Sequence, residues 1–363
     1  MSKKGIRLTE KELKNALVGG TILGGGGGGG SAKKGEQYAK IAVAYNDLRL
    51  VDINDIPEDE ILLTASLVGA PAAVNQFLYP ADFARTIELL QKNSDVKIGG
   101  IITNENGGEA TVNGWLQASM MGLPLVDAPC NGRAHPTGVM GSMNLHKQKD
   151  YVTMQACVGG NPETNSHVEC FFTGSIEHTS KLVRMASVEA GGLVAVARNP
   201  VTAAYAKENA AVGGVSHAIR TGEVFNKGLE TSVEQAVNDV CAFLEGKVIA
   251  KGAIEEYELK YEGGFDVGYV KVDGLELTFW NEYATADKDG QRISTFPNLI
   301  MTIDANTGVP VTTAMLKKGM EVYVITTDKK NLCLSPTMYE PELLQTVEDI
   351  VKKEIVKYLE VTI

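Results

Sequence analysis

Seven consecutive glycines, Gly24–Gly30, separate two segments that both read as helices. In the first segment Thr9 with Glu12 fits a capping box, and Leu13, Ala16 and Leu17 form an apolar stripe. The second is expected from Ala32 to about Tyr45, with Ser31 placed to cap it. Bare glycines let backbone approach backbone, or a ligand, at distances no side chain permits. A flexible linker is the plainer reading. Linkers separate domains, however, and these glycines separate two core-facing helices. The run is therefore expected to be ordered and to border a site, with Gly26, Gly27 and Gly28 available to hold an anion or substrate. Helix–glycines–helix is not the strand–loop–helix of a dinucleotide turn, and no Lys-Ser/Thr follows for a phosphate loop.

Past Tyr45 the pattern alternates. Strands are expected at Glu60–Leu67, Lys97–Thr103, Leu123–Asp127, Tyr151–Val158, Val168–Thr173 and Leu193–Ala197. Helices are expected at Pro80–Leu90, Ala110–Met121, Ser175–Glu189, Val201–Thr221 and Ser232–Leu244. This is an α/β pattern and predicts a three-layer unit, a parallel sheet flanked by helices. Near Gly246 the texture changes to alternating Val, Ile, Tyr and Thr, punctuated by Gly263-Gly264, Asp273-Gly274, Asp289-Gly290 and Thr307-Gly308. With 363 residues two domains are expected: residues 1–245 α/β and residues 246–337 β-rich. A C-terminal amphipathic helix, Glu340 to Tyr358 within residues 338–363, is expected to pack back on one of the two, the α/β unit being one option.

The net charge of −11 and the lack of a basic cluster argue against nucleic acid as the main partner. No apolar run reaches the length of a membrane span. Five cysteines, an odd number with no CxxC pair, and an N-terminus without an apolar signal core predict reduced thiols and a cytoplasmic location.

Ligands of α/β sheets bind at the carboxyl ends of strands. Three such ends are legible: Val68-Gly69-Ala70-Pro71, Thr103 through Gly108, and Asp127 through Gly138. The third, DAPCNGRAHPTG, is the densest in reactive types. Cys130 is a candidate nucleophile, His135 a base or acid, and Asp127 an acid or the group that orients His135. Arg133 offers a fork for a carboxylate. The plainer reading pairs Asp127 with Arg133 to hold a loop. Glu105 stands before Gly107-Gly108 as a base or a ligand for a substrate N–H, or as a helix-terminus carboxylate. Asn281 and Glu282 end an apolar strand and either reach across the domain boundary or begin a turn. Cys130, His135 and His146 are candidate ligands for a divalent metal such as zinc, without the compact spacing of a zinc site. No cofactor is otherwise indicated. Cys157 and Cys170 read as small core residues, and His167, His178 and His217 carry no assigned role.

At these residues the chain resembles the S-methyl-thiohydantoin desulfurase family, whose members are often encoded near hydantoinase- or oxoprolinase-type enzymes. The resemblance rests on the glycine run, Glu105 with Gly107-Gly108, Asp127 with Gly132-Arg133-Ala134 and Pro136, and Asn281-Glu282. It covers nearly the whole chain. The sequence departs from the family at Pro129 and Thr137, where many members have acids, and at Asn298 in Pro297-Asn298-Leu299-Ile300, where they tend to have Asp. Cys130 and His135 look like features of a subgroup. The resemblance implies hydrolytic desulfurisation of a five-membered heterocycle. Asp127 and His135 would then move protons, with Cys130 attacking first if the route is covalent. Asn131, the Gly107-Gly108 amides and the glycine run would supply donors to developing charge, and Arg133 would hold a substrate carboxylate. A homo-oligomer, a small-molecule substrate and a hydantoinase-type partner are expected. The competing expectation is a non-catalytic accessory subunit that grips a nucleotide or anion for such a partner.

Overall fold

A computed structural model describes residues 4–29, 32–69, 73–262 and 265–361. Gly30, Ser31 with its expected cap, Ala70-Pro71 and Gly263-Gly264 with its expected turn lie outside the described residues. Among those described, two eight-stranded sheets and nine α-helices make a mixed α/β protein.

The first unit runs β1 (Ile6–Arg7), α1 (Glu10–Gly24), α2 (Ala32–Tyr45), β2 (Arg49–Val51), β3 (Ile61–Gly69), α3 (Pro80–Lys92), β4 (Ile98–Thr103), α4 (Trp115–Met121) and β5 (Leu125–Val126). It continues with β6 (Thr153–Gly159), β7 (Val168–Gly174), α5 (Ile176–Glu189), β8 (Leu193–Thr202), α6 (Ala203–Asn209), α7 (Gly214–Leu229) and α8 (Val233–Phe243). Thr9 and Glu12 form the expected capping box on α1.

The first sheet has the order β1-β2-β5-β4-β3-β8-β6-β7. Only β2, β5, β4 and β3 pair in parallel; β8, β6 and β7 add antiparallel. The expected parallel sheet is thus mixed: β6 and β7 pair directly as antiparallel neighbours, and β8, reached through α5, inserts between β3 and β6 antiparallel to both. Alternate strand residues face opposite layers. Leu63, Ala65, Ala195 and Ala197 pack in one core with α1, α3 and α4, whereas Cys157, Val194 and Val196 pack against α5. Two expected helices differ. Ala110–Val112 is a 3-10 turn, and α4 begins only at Trp115. β8 continues to Thr202, so the expected Val201–Thr221 helix is two helices, α6 and α7.

The second sheet comprises β9 (Lys247–Glu262), β10 (Phe265–Val272), β11 (Leu275–Trp280), β12 (Glu282–Lys288), β13 (Gln291–Thr295), β14 (Leu299–Asp304), β15 (Pro310–Val311) and β16 (Glu321–Thr327), all antiparallel. Val270, Leu277, Phe279, Tyr283, Ile300 and Val324 share its core. A separate core joins the two units: Ile22 and Leu23 of α1 and Phe225 of α7 meet Leu299, Met301 and Ile325. The end of α1 is thereby held against the second sheet, and the glycine run starts at that junction. α9 (Pro341–Val351) packs Leu344 and Val347 on Trp280 of the second sheet, in a core that also holds Met140 of the first unit. Lys147 pairs with Glu340 at its start. No described helix is long and apolar enough to cross a membrane.

Candidate functional site

Gly24–Gly29 are ordered and pinned on both sides. The Gly25 and Gly26 carbonyls accept from Tyr283 N at 2.8 Å and Thr313 N at 3.0 Å in the second unit. The Gly28 carbonyl accepts from Glu109 N and Ala110 N in the first. Side chains are excluded by geometry. A Cβ on Gly27 would stand 1.8 Å from Glu282 Oε1, and one on Gly28, at φ +81°, 2.4 Å from Gly107 Cα. The run also meets the DAPCNGRAHPTG loop, since a Cβ on Gly25 or Gly28 would press on Arg133 or Ala134. The glycines therefore act as a seam that brings Glu282 of one unit to the loops of the other.

A cleft of about 580 Å³ opens along this seam. The first unit contributes Gly26–Gly29, Asn104, Glu105, Asn113, His135 and Arg184, and the second Tyr261, Asp266, Asn281, Glu282 and Thr312. At its floor His135 Nε2 lies 3.0 Å from Glu105 Oε2, with the two side chains 5% and 12% exposed. The approach is off the line of a hydrogen bond. Burial pushes the Glu105 carboxyl up to about 8, against the pull of the His135 backbone N–H and the Arg198 charge. Burial takes the His135 imidazole down to about 4, helped by the charges of Arg198 and Arg133. Between those values the acid keeps its proton and the imidazole is neutral. Glu282 is also raised well above the carboxylate range, first by burial and then by Glu105, against Arg133 and the Gly28 amide. Three neighbouring groups, two acids and one base, thus meet in a largely water-shielded pocket.

Of the remaining expected site residues, all but Asn281 fall outside the cleft, each for a local reason. Asp127 is 7% exposed and caps α7: its carboxylate accepts from Val215 N at 2.8 Å, from Ser216 N and from the Ser216 hydroxyl. It does not orient His135. Arg133 is fully buried and donates to the Pro297 and Asn298 carbonyls, with its guanidinium 4.5 Å from the Phe296 ring centroid. Its charge acts on Glu282, and it does not line the cleft. Nor is it paired with Asp127, as the plainer reading had it. Cys130 is buried against Thr64 Oγ1 at 3.2 Å, and burial pushes its thiol up to about 11. Asn131 turns inward, accepting from Gly132 N. The Gly107 amide is taken by Thr111 Oγ1, and neither Gly107 nor Gly108 lines the cleft. Asn281, at φ +56°, exchanges hydrogen bonds with the Asp266 backbone while bordering the cleft. His146 lies by Ser142 and Glu342, away from His135, and no group of three metal-ligating side chains occurs among the described residues.

Sequence reading gave no role to four polar groups at or behind the site. Asn104 accepts from the Asn113 amide at 2.8 Å, and both line the cleft. Thr312 also lines it, its hydroxyl without a partner. Arg198 stands behind the floor, 8% exposed.

Comparison with known proteins agrees with this architecture. The family model described as "S-Me-THD-like, N-terminal domain" matches residues 11–169, and "S-Me-THD-like, C-terminal domain" matches residues 175–340. The family division thus falls within β7, between residues 169 and 175, whereas the second sheet begins only at Lys247. No curated protein matches the chain. The crystal structure of a protein from Chromobacterium violaceum is similar over 95% of this chain and 96% of its own, with a TM-score of 0.71 at 21% identity, a likeness of fold. With both models matching and together spanning most of its length, the chain belongs to the S-Me-THD-like family, the S-methyl-thiohydantoin desulfurase family that its residues resemble.

Proposed function

We propose that this protein is a hydrolase of a small five-membered cyclic amide, with an S-methyl-thiohydantoin as the first candidate substrate, and that Glu105 and His135 are its acid and base. The observation that carries the reading is the buried Glu105–His135 contact, in which the acid holds a proton and the base is neutral at the same pH. A general acid and a general base must differ in just this way to act in one turnover.

Neutral His135 takes a proton from water as the oxygen attacks the ring carbon that bears sulfur. The tetrahedral adduct places negative charge where the Asn104 and Asn113 amides and the Thr312 hydroxyl line the cleft. Glu105 then protonates the departing sulfur as the C–S bond breaks, releasing a thiol and leaving a ring carbonyl. Proton transfer from the imidazolium to the Glu105 carboxylate restores the pair. Glu282, its carboxyl pushed well above the usual carboxylate range by burial, is the candidate donor to a ring nitrogen or carbonyl. Cys130 is not needed as a nucleophile, since its buried thiol is far from ionising at neutral pH.

The test is thiol release from S-methyl-thiohydantoin by the purified protein, compared with E105Q and H135N. Turnover by wild type and its loss in both variants supports the reading. Binding of hydantoins or nucleotides without turnover in any form replaces it with that of an accessory subunit.

A further inference from the structure

Arg198 of β8 pairs in register with Thr64 of β3 and Gln155 of β6. Cross-strand partners point their side chains to one face. These three therefore form a polar row across the middle of the sheet, on the face otherwise packed by Leu62, Val194 and Val196. The row meets the catalytic loop from below, because Thr64 Oγ1 touches Cys130 Sγ, five residues before His135. Gln155 is held by Thr179. Arg198 Nε has no hydrogen-bond partner, and among the described residues no carboxylate stands within ion-pair distance of the guanidinium. A buried cation without an adjacent anion is destabilising, and an apolar side chain of similar volume would pack there at lower cost. Packing alone does not account for it.

We propose that Arg198 is the fixed countercharge of the Glu105–His135 pair, a positioning residue that favours the Glu105 carboxylate when the proton leaves and keeps His135 neutral, without itself entering the cleft. This rests on the reading of those two residues as acid and base. The neighbouring charges leave this part to Arg198. From the loop, Arg133 opposes charge on His135 but is anchored on Pro297 and Asn298 and faces Glu282. From β12, burial and the neighbouring Glu105 work against ionisation of Glu282. Glu109 borders the same cleft, and the Cys130 thiol is neutral. Arg184 of α5 repels Arg198 and offers it no partner. Arg198 is the cation whose charge Glu105 feels.

The experiment uses R198M, which keeps length and drops the charge, and R198K, which keeps the charge. The His135 ring is titrated by NMR in the free protein, with the other four histidines as internal references, and kcat/KM is measured against pH. Loss of a nearby positive charge makes both protons harder to remove. The proposal expects the His135 midpoint in R198M to rise by roughly one unit, the scale of one lost interior charge. Both limbs of the pH profile move upward with it, and R198K stays near wild type. Folded R198M that titrates like wild type overturns the proposal. Should R198M not fold, R198Q carries the same measurement, and loss of fold in both assigns Arg198 a structural role and overturns it as well. The ring titration needs no substrate, so failure of the hydrolase reading and failure of this proposal are told apart.

Discussion

Glu105 and His135 come from two different strand-end loops, after β4 and after β5, and meet 3.0 Å apart beneath a seam of glycines. Burial sets their protonation in opposite senses, Glu105 up to about 8 and His135 down to about 4. Activity is therefore expected to be bell-shaped in pH. It falls as pH drops through the lower value, where the base is protonated, and as pH rises through the upper one, where the acid is lost. Because the groups interact, the two limbs belong to the pair. A profile of kcat/KM from pH 3.5 to about 9.5 checks this, and a single-limbed curve would contradict it.

The same burial links Glu105 to stability. Folded Glu105 keeps its proton to about pH 8, whereas an ordinary carboxyl releases it near 4.5. Between those values the folded state binds more protons, so its stability drops as pH rises through the window. E105Q has no proton to lose. The wild type is expected to lose stability relative to E105Q from about pH 4.5 to 8, by up to a few kcal/mol at about 1.4 kcal/mol per pH unit. Paired urea melts across that range read the difference, and parallel curves would show that the carboxyl is ordinary.

Asp127→Asn should act on the fold rather than the chemistry. Its carboxylate caps α7 through the Val215 and Ser216 amides, and weakening that cap costs about 1 kcal/mol. A lowered Tm with an unchanged pH profile is expected. A collapse of kcat at full stability would return Asp127 to the site. Cys130→Ser should likewise keep most of the rate, while a complete loss would point to a covalent thiol route.

Gly27→Ala tests the seam. A methyl group there would fall on Glu282 Oε1, within the carboxyl group itself. Either the seam opens or Glu282 leaves the floor, so loss of activity larger than loss of stability is expected. Circular dichroism melts beside turnover measure both, and near-wild-type activity would show that the close approach is dispensable.

Local signals made much of this legible. The glycine run, the Thr9–Glu12 box and the Asp-Gly turns act over a few residues, and Glu105, His135, Asn281 and Glu282 stand at strand ends, where ligands gather. What failed was set by distant chain. Asp127 is claimed by a helix that begins 87 residues later, and Arg133 by carbonyls of the second sheet. The expected strand ended at Ala197, one residue short of Arg198. An arginine continuing the apolar run Leu193–Ala197 was the available sign that something charged is buried there.

The most direct test of the central claim is thiol release from S-methyl-thiohydantoin across pH by wild type and H135N. The account predicts a rate about 10²–10⁴-fold lower in H135N and the disappearance of its acidic limb, since that limb is the titration of the base. Equal rates with the limb intact would show that His135 moves no proton, and the Glu105–His135 pair would then be scaffold rather than catalyst.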